Sequence, residues 1–142
     1  MRIRTALLPL LVACSAVDGP AAVENRREQW LAQAPAHYQV DQDISCFCVP
    51  PRAVRVEVRD NQVVAVTNRE TGAAVPHEIW GSFYSVQGLF DLIEDARKLN
   101  AEKLEVTYHP TDHYPTSITI DYRTQAADDE LWIKVLAVTS LP

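Results

Sequence analysis

Residues 52–59 alternate without a break, Val54, Val56 and Val58 interleaving with Arg55, Glu57 and Arg59. A period of two sends successive side chains to opposite faces of an extended backbone, so the segment reads as a strand with one dry and one wet face. Asp60-Asn61 follows, and both residue types tolerate positive φ. Residues 62–67 then return as the partner strand of a hairpin. A one-faced hairpin constrains everything else, because the rest of the chain must supply a layer to cover its valines.

The remaining segments supply strands and that layer. Residues 24–34 read as a short helix with Trp30 and Leu31 as its apolar side, stopped by Pro35. Residues 37–44 alternate, with Tyr38, Val40 and Ile44 on one side and His37, Asp41 and Asp43 on the other. Pro50-Pro51 breaks the chain before the hairpin. Residues 68–82 read as a long loop containing Trp80. Ser85 is placed to cap a helix over 86–99, where Val86, Leu89, Phe90, Ile93 and Ala96 fall at helical spacing and Arg97 and Lys98 meet the negative end of the dipole. Three strands follow at 103–108, 116–122 and 131–138, the last apolar on both faces as suits a central strand. The expected fold is α+β: one antiparallel, mostly meander sheet of about six strands, one long helix on a face and a short N-terminal helix. Val54, Val56, Val58, Phe90, Ile93, Val106, Ile118, Ile120, Ile133 and Val135 should form the core, and most of the aromatics, Trp132 among them, should join it.

The N-terminus reads differently. Arg2 and Arg4 precede a short apolar run over 5–11, then Leu11-Val12-Ala13-Cys14. That order resembles a bacterial lipoprotein signal, with residues 1–13 removed and Cys14 acylated as the first mature residue. The run is too short to span a bilayer, which needs about 20 apolar residues. Ser15 after the cysteine resembles an outer-membrane address, and residues 14–22 read as a lipidated tether to a single globular domain over 23–142. The expected location is the cell envelope, on the periplasmic side of the outer membrane. Formal charge is −6, and losing Arg2 and Arg4 leaves −8. An acidic domain is a poor partner for nucleic acid or anionic headgroups, so the membrane contact falls to the lipid.

Three constellations bear chemistry. Cys46-Phe47-Cys48 places two thiols on one face of an extended segment. With Cys14 lipidated, Cys46 and Cys48 are an even pair in an oxidising compartment, and a structural disulfide is the expected reading. A reducible redox pair, a soft-metal site or two free thiols are the alternatives. His109-Pro110-Thr111-Asp112-His113 has ligand types, yet reads first as a polar turn; His109 and His113 join Cys46 and Cys48 as metal candidates. Asp128-Asp129-Glu130, with Asp121, offers carboxylates for acid–base work or calcium, but a charge run before an apolar strand reads first as a solvated turn. G-x-S-x-G, H-E-x-x-H, P-loop and G-x-G-x-x-G patterns are absent, and four glycines are few for a phosphate-cradling loop. No catalytic residue and no cofactor is expected.

From Trp30 onward the chain resembles a bacterial domain family of unknown function, numbered 6174. The resemblance rests on Trp30, Tyr38, the Cys46 and Cys48 pair followed by Pro50, and the Val54-x-Val56-x-Val58 hairpin. It continues through Val86-x-x-Leu89-Phe90, Val106-x-Tyr108, Tyr114-Pro115, Ile118-x-Ile120-Asp121 and Asp129-Glu130. Two positions depart: Asp60-Asn61 stands where Asp-Gly is usual, and His113 where Gly is usual before Tyr114. The resemblance implies secreted or lipid-anchored proteins and supplies no activity. The function expected is a non-enzymatic binding or scaffolding domain with an unidentified protein or small-molecule partner. The alternatives are a thiol-redox or soft-metal protein using Cys46 and Cys48, and a hydrolase using Asp121 with Asp128 to Glu130.

Overall fold

A computed structural model describes residues 19–47 and 51–142. The signal segment, Cys14, Ser15 and most of the expected tether lie outside these residues, as do Cys48 and Pro50. The elements run α1 (Pro20–Leu31), β1 (His37–Cys46), β2 (Ala53–Arg59), β3 (Gln62–Asn68), a 3-10 turn (His77–Ser82), α2 (Val86–Lys98), β4 (Lys103–Tyr108), β5 (Pro115–Asp121) and β6 (Glu130–Ser140).

All six strands form one antiparallel sheet in the order β3-β2-β1-β6-β5-β4. Two three-stranded meanders are therefore joined by a single long-range pairing, β1 with β6. The expected hairpin is present, and Asp60 and Asn61 take φ of 48° and 63°, as a type I′ turn requires. β6 lies centrally as its composition suggests, but only one of its faces is covered. Ile133 and Val135 are buried, whereas Trp132 and Leu136 stand exposed on the other side. Trp132 thus departs from the expected core. The physical reason is that both helices pack on one face and, among the described residues, no helix is layered on the other.

The covered face carries Tyr38, Val40, Ile44, Val54, Val56, Val58, Ile118, Ile120 and Ile133, all buried. Of the ten core residues expected, Val106 alone is only partly buried, because β4 is an edge strand. Helix α2 lays Val86, Leu89, Phe90, Ile93 and Ala96 against this face. At its start, Ser85 Oγ accepts from the Gly88 amide at 3.0 Å. Past its end, Asn100 takes φ of 54° and the Ala101 amide donates to Ala96 O at 2.9 Å, the Schellman closure. At 13 residues α2 is scarcely longer than α1 at 12, so two short helices share the cover rather than one long one.

α1 begins at Pro20, earlier than the sequence suggests, so residues 20–22 are helix rather than tether. Pro20 suits the first helical position, where its missing N–H is not needed. Val23 and Trp30 are buried, and Trp30 meets Tyr38 and Tyr114 edge-on at 5.7 and 5.8 Å. Arg27 ties α1 to α2 by pairing with Asp91 at 2.9 Å while its guanidinium lies 5.6 Å from the Phe90 ring centre.

One buried polar residue fixes the approach to α2. Gln42 is fully buried in β1, and its side-chain amide donates to Tyr84 O while its carbonyl accepts from Tyr84 N at 3.4 Å. Tyr38 OH accepts from the Val86 amide at 3.3 Å. Burial pushes the Tyr38 phenol up to about 12, and the Val86 bond opposes that only in part. The 68–82 loop is more ordered than its composition implies. Asn68 Oδ1 accepts from the Glu70 and Thr71 amides, Thr67 bridges Ala74, and Trp80 Nε1 donates to Val75 O at 3.0 Å.

Candidate functional site

The uncovered sheet face is mostly a polar lattice. Arg55 holds Asp41 through two bonds of 2.8 Å, Arg69 pairs with Asp43, His37 Nε2 meets Glu57 Oε1 at 2.8 Å, and the Thr107 and Thr116 hydroxyls bond at 2.8 Å. Cross-strand pairs of this kind let a sheet face stand in water. At one corner the pattern changes.

That corner lies where β1 ends, β4 and β6 begin and β5 ends. The 122–129 connection folds back over it. Thr124 N and Oγ1 both donate to Glu102 Oε2 at 2.7 Å, tying the connection to the start of β4. These two bonds, hydroxyl first, hold the Glu102 carboxyl below its ordinary range. Arg123 O accepts from the Ala126 amide at 2.8 Å, tightening the same turn.

Beneath it is a cavity of about 340 Å³ lined in part by Ser45, Phe47, Thr119, Asp121, Ala127 and Trp132. Lys103 and Glu130 also line it, and each sits directly across a strand pair from Asp121. Asp121 is only 7% exposed, and its Oδ1 is shielded from solvent with no hydrogen-bond partner among the described residues. Lys103 makes no ion pair with it among the described residues; its Nζ lies 3.6 Å from Glu105 Oε2 instead. Beside this carboxylate, Trp132 and Phe47 are 40% and 83% exposed.

The expected site residues fall in three places. Cys46 ends β1 on the covered-face side of the alternation, opposite Leu131, and it too lines the corner cavity. Cys48 lies outside the described residues, so the geometry of the pair is not described. His109 and His113 do not converge with Cys46. Their segment is the β4–β5 turn, closed by His109 N to Tyr114 O at 2.8 Å and His113 N to His109 O at 3.0 Å. His109 Nδ1 accepts from the Asp112 amide at 3.1 Å and the ring stacks on Tyr114 at 4.9 Å. His113 takes φ of 65°, a left-handed conformation that glycine adopts at least cost, and its Nδ1 is shielded with no hydrogen-bond partner among the described residues. Among the described residues no group of three or more His, Cys, Asp or Glu side chains is arranged to hold a metal ion. Of the acidic candidates, Asp121 and Glu130 share the cavity, whereas Asp128 is exposed and does not line it.

A family of unknown function (DUF6174) matches residues 22–140, from the first turn of α1 to the end of β6. The chain belongs to that family. No curated protein and no solved structure matches it. The DUF6174 match takes in every strand and both helices, so the corner cavity is built wholly from the family domain. No helix among its described residues is long and apolar enough to cross a membrane. Sequence reasoning singled out Asp121 but missed Trp132, Phe47, Thr119 and Lys103. Trp132 alternates with Ile133, which is the signal that it belongs to the opposite face.

Proposed function

We propose that this chain is a small envelope protein, anchored by lipid on Cys14 to the periplasmic side of the outer membrane, whose folded domain binds a small ligand rather than transforming one. One observation carries the binding reading: a roofed corner on an open sheet face, whose lining combines a carboxylate with one shielded oxygen that has no hydrogen-bond partner among the described residues and two uncovered aromatic rings. The described lining residues include carboxylates, a lysine, Ser45, Thr119 and Cys46 but no histidine, so they offer no imidazole to serve a nucleophile. The anchor reading is supported by the order of charge, apolar run and Cys14.

Fractionated small molecules from an envelope extract test the domain by thermal shift. One fraction should raise Tm for the native chain and fail to do so for Trp132→Ala, with every compound recovered unchanged by mass spectrometry. No rise with any fraction rejects the binding reading, and conversion of a compound replaces it with an enzymatic one. For the anchor, Cys14→Ala should move the protein out of the membrane fraction.

A thiol role is the second reading, favoured by Cys46 lining the same cavity. In the leading reading Cys46 and Cys48 form a structural disulfide that stiffens the rim. In the second they cycle, or bind a soft metal such as copper or zinc. Thiol trapping after mild reduction separates the two, because a structural bridge resists weak reductant.

A further inference from the structure

We infer that the ligand of the roofed corner is a small organic cation, a primary or quaternary ammonium group, seated against Asp121 with Trp132 and Phe47 as its aromatic walls. This rests on reading the corner as a binding site and names the chemistry that site takes.

Charge sets the sign of the ligand. Asp121 is more than nine-tenths buried, lines the cavity and has no partner for its shielded oxygen among the described residues. A carboxylate withdrawn from water without a partner is costly, and a cation brought beside it supplies the missing compensation. Glu130, directly across the β5–β6 pair, adds a second negative group on the same face. Among the described lining residues Lys103 is the one cation, and its ammonium is drawn to Glu105. An anionic ligand would meet two carboxylates at close range.

The aromatic rings set its kind. A bare divalent ion wants several oxygen donors, and no metal-holding cluster of three occurs among the described residues. An ammonium group instead gains from the face of a tryptophan or phenylalanine, the arrangement that recognises quaternary ammonium ligands elsewhere. Leaving Trp132 and Phe47 uncovered beside a buried carboxylate is wasteful for a free surface and apt for such a ligand. Volume sets the size. At about 340 Å³ the cavity lies at the low end for ligand sites, which fits one headgroup or amine and not a folded peptide. The same ammonium chemistry is presented by a free amine and by a phospholipid headgroup.

Two-dimensional ¹⁵N NMR of the purified full chain tests this with tetramethylammonium, ethanolamine, glycerophosphoethanolamine and the neutral isostere 3,3-dimethylbutanol. The two cations should shift the Trp132 indole N–H saturably, and 3,3-dimethylbutanol should not. Asp121→Asn and Trp132→Leu should each weaken binding about tenfold or more. Trp132 is exposed, so its variant keeps the fold even if Asp121→Asn does not. Stronger binding of glycerophosphoethanolamine than of ethanolamine assigns the site to a lipid headgroup, and the reverse order to a free amine. Equal binding of the neutral isostere overturns the cation while leaving a binding corner intact. No shift with any of the four compounds overturns both.

Discussion

Gln42 is the only fully buried polar side chain among the described residues, and replacing it tests whether its bonds to Tyr84 position α2. Gln42→Met keeps length and volume but removes both the donor to Tyr84 O and the acceptor for Tyr84 N. Leaving a shielded carbonyl without its donor costs about 1–3 kcal/mol, and the longer 3.4 Å bond to Tyr84 N adds roughly 0.5 kcal/mol. The methionine recovers part of this through better transfer from water, so the net loss should be about 2 kcal/mol. That is a fall of roughly 8 °C in Tm for a domain of this size. Urea unfolding followed by tryptophan fluorescence reads the loss directly, with an unchanged m-value showing that the unfolded state is the same. Gln39→Met, on the opposite face of the same strand, is the control and should stay within about 0.5 kcal/mol of the parent. If Gln42→Met matches that control, Tyr84 O finds water instead, and the claim that Gln42 secures the start of α2 is wrong.

The phenol of Tyr38, raised to about 12 by burial, titrates higher folded than unfolded. Its contribution is therefore complete below pH 10 and lost as pH rises through about 12, an order of 2–3 kcal/mol by linkage; Tyr38→Phe should flatten that alkaline limb in pH-dependent melts. His113→Gly should stabilise by roughly 0.5–1 kcal/mol, because it relieves a left-handed backbone and removes an unpartnered ring nitrogen; lower stability in urea would mean the ring makes a packing contribution that outweighs both. A bridge between Cys46 and Cys48 closes a very short loop, so Cys46→Ser with Cys48→Ser should fold and lose only about 1 kcal/mol. A non-reducing digest that finds both thiols free in native material removes the bridge altogether.

Strands were legible because one face is dry. Val54, Val56 and Val58 on β2, and Ile118 and Ile120 on β5, announce themselves by period two, and the pattern places their ends within a residue or two. Helix α2 was legible from Ser85, its apolar spacing and its basic end. The start of α1 was not, because Pro20, Ala21 and Ala22 suit a linker as well as a first helical turn, and only packing of Val23 against the core decides. The uncovered face of β6 was not legible either. Trp132 and Leu136 carry no mark of how many layers will form, and that depends on where both helices go. The corner cavity was hidden for a different reason. It draws on the end of β1, the start of β4, the end of β5 and the 122–129 connection, segments that only the sheet order brings together. Asp121 stood out as a carboxylate ending an apolar strand, but nothing local showed that it would be roofed.

The joining of β1 to β6 also sets a schedule for folding. Each meander is local, and its hairpins are of a kind that forms within microseconds. The centre of the sheet is not local: Tyr38 waits for Ser140 and Cys46 for Leu131, partners roughly 85 to 100 residues later. Until β6 arrives, β1 has one open edge and the valine face has half its sheet. Translation or export with the N-terminus leading would hold the first meander in that unfinished state while the second is still being delivered. Substitutions across the β1–β6 seam, such as Ile133→Val, should therefore slow refolding, whereas truncations at the outer edges, such as Val63→Ala, should chiefly speed unfolding. Stopped-flow chevrons with the opposite pattern would show that the meanders, and not the seam between them, form the nucleus.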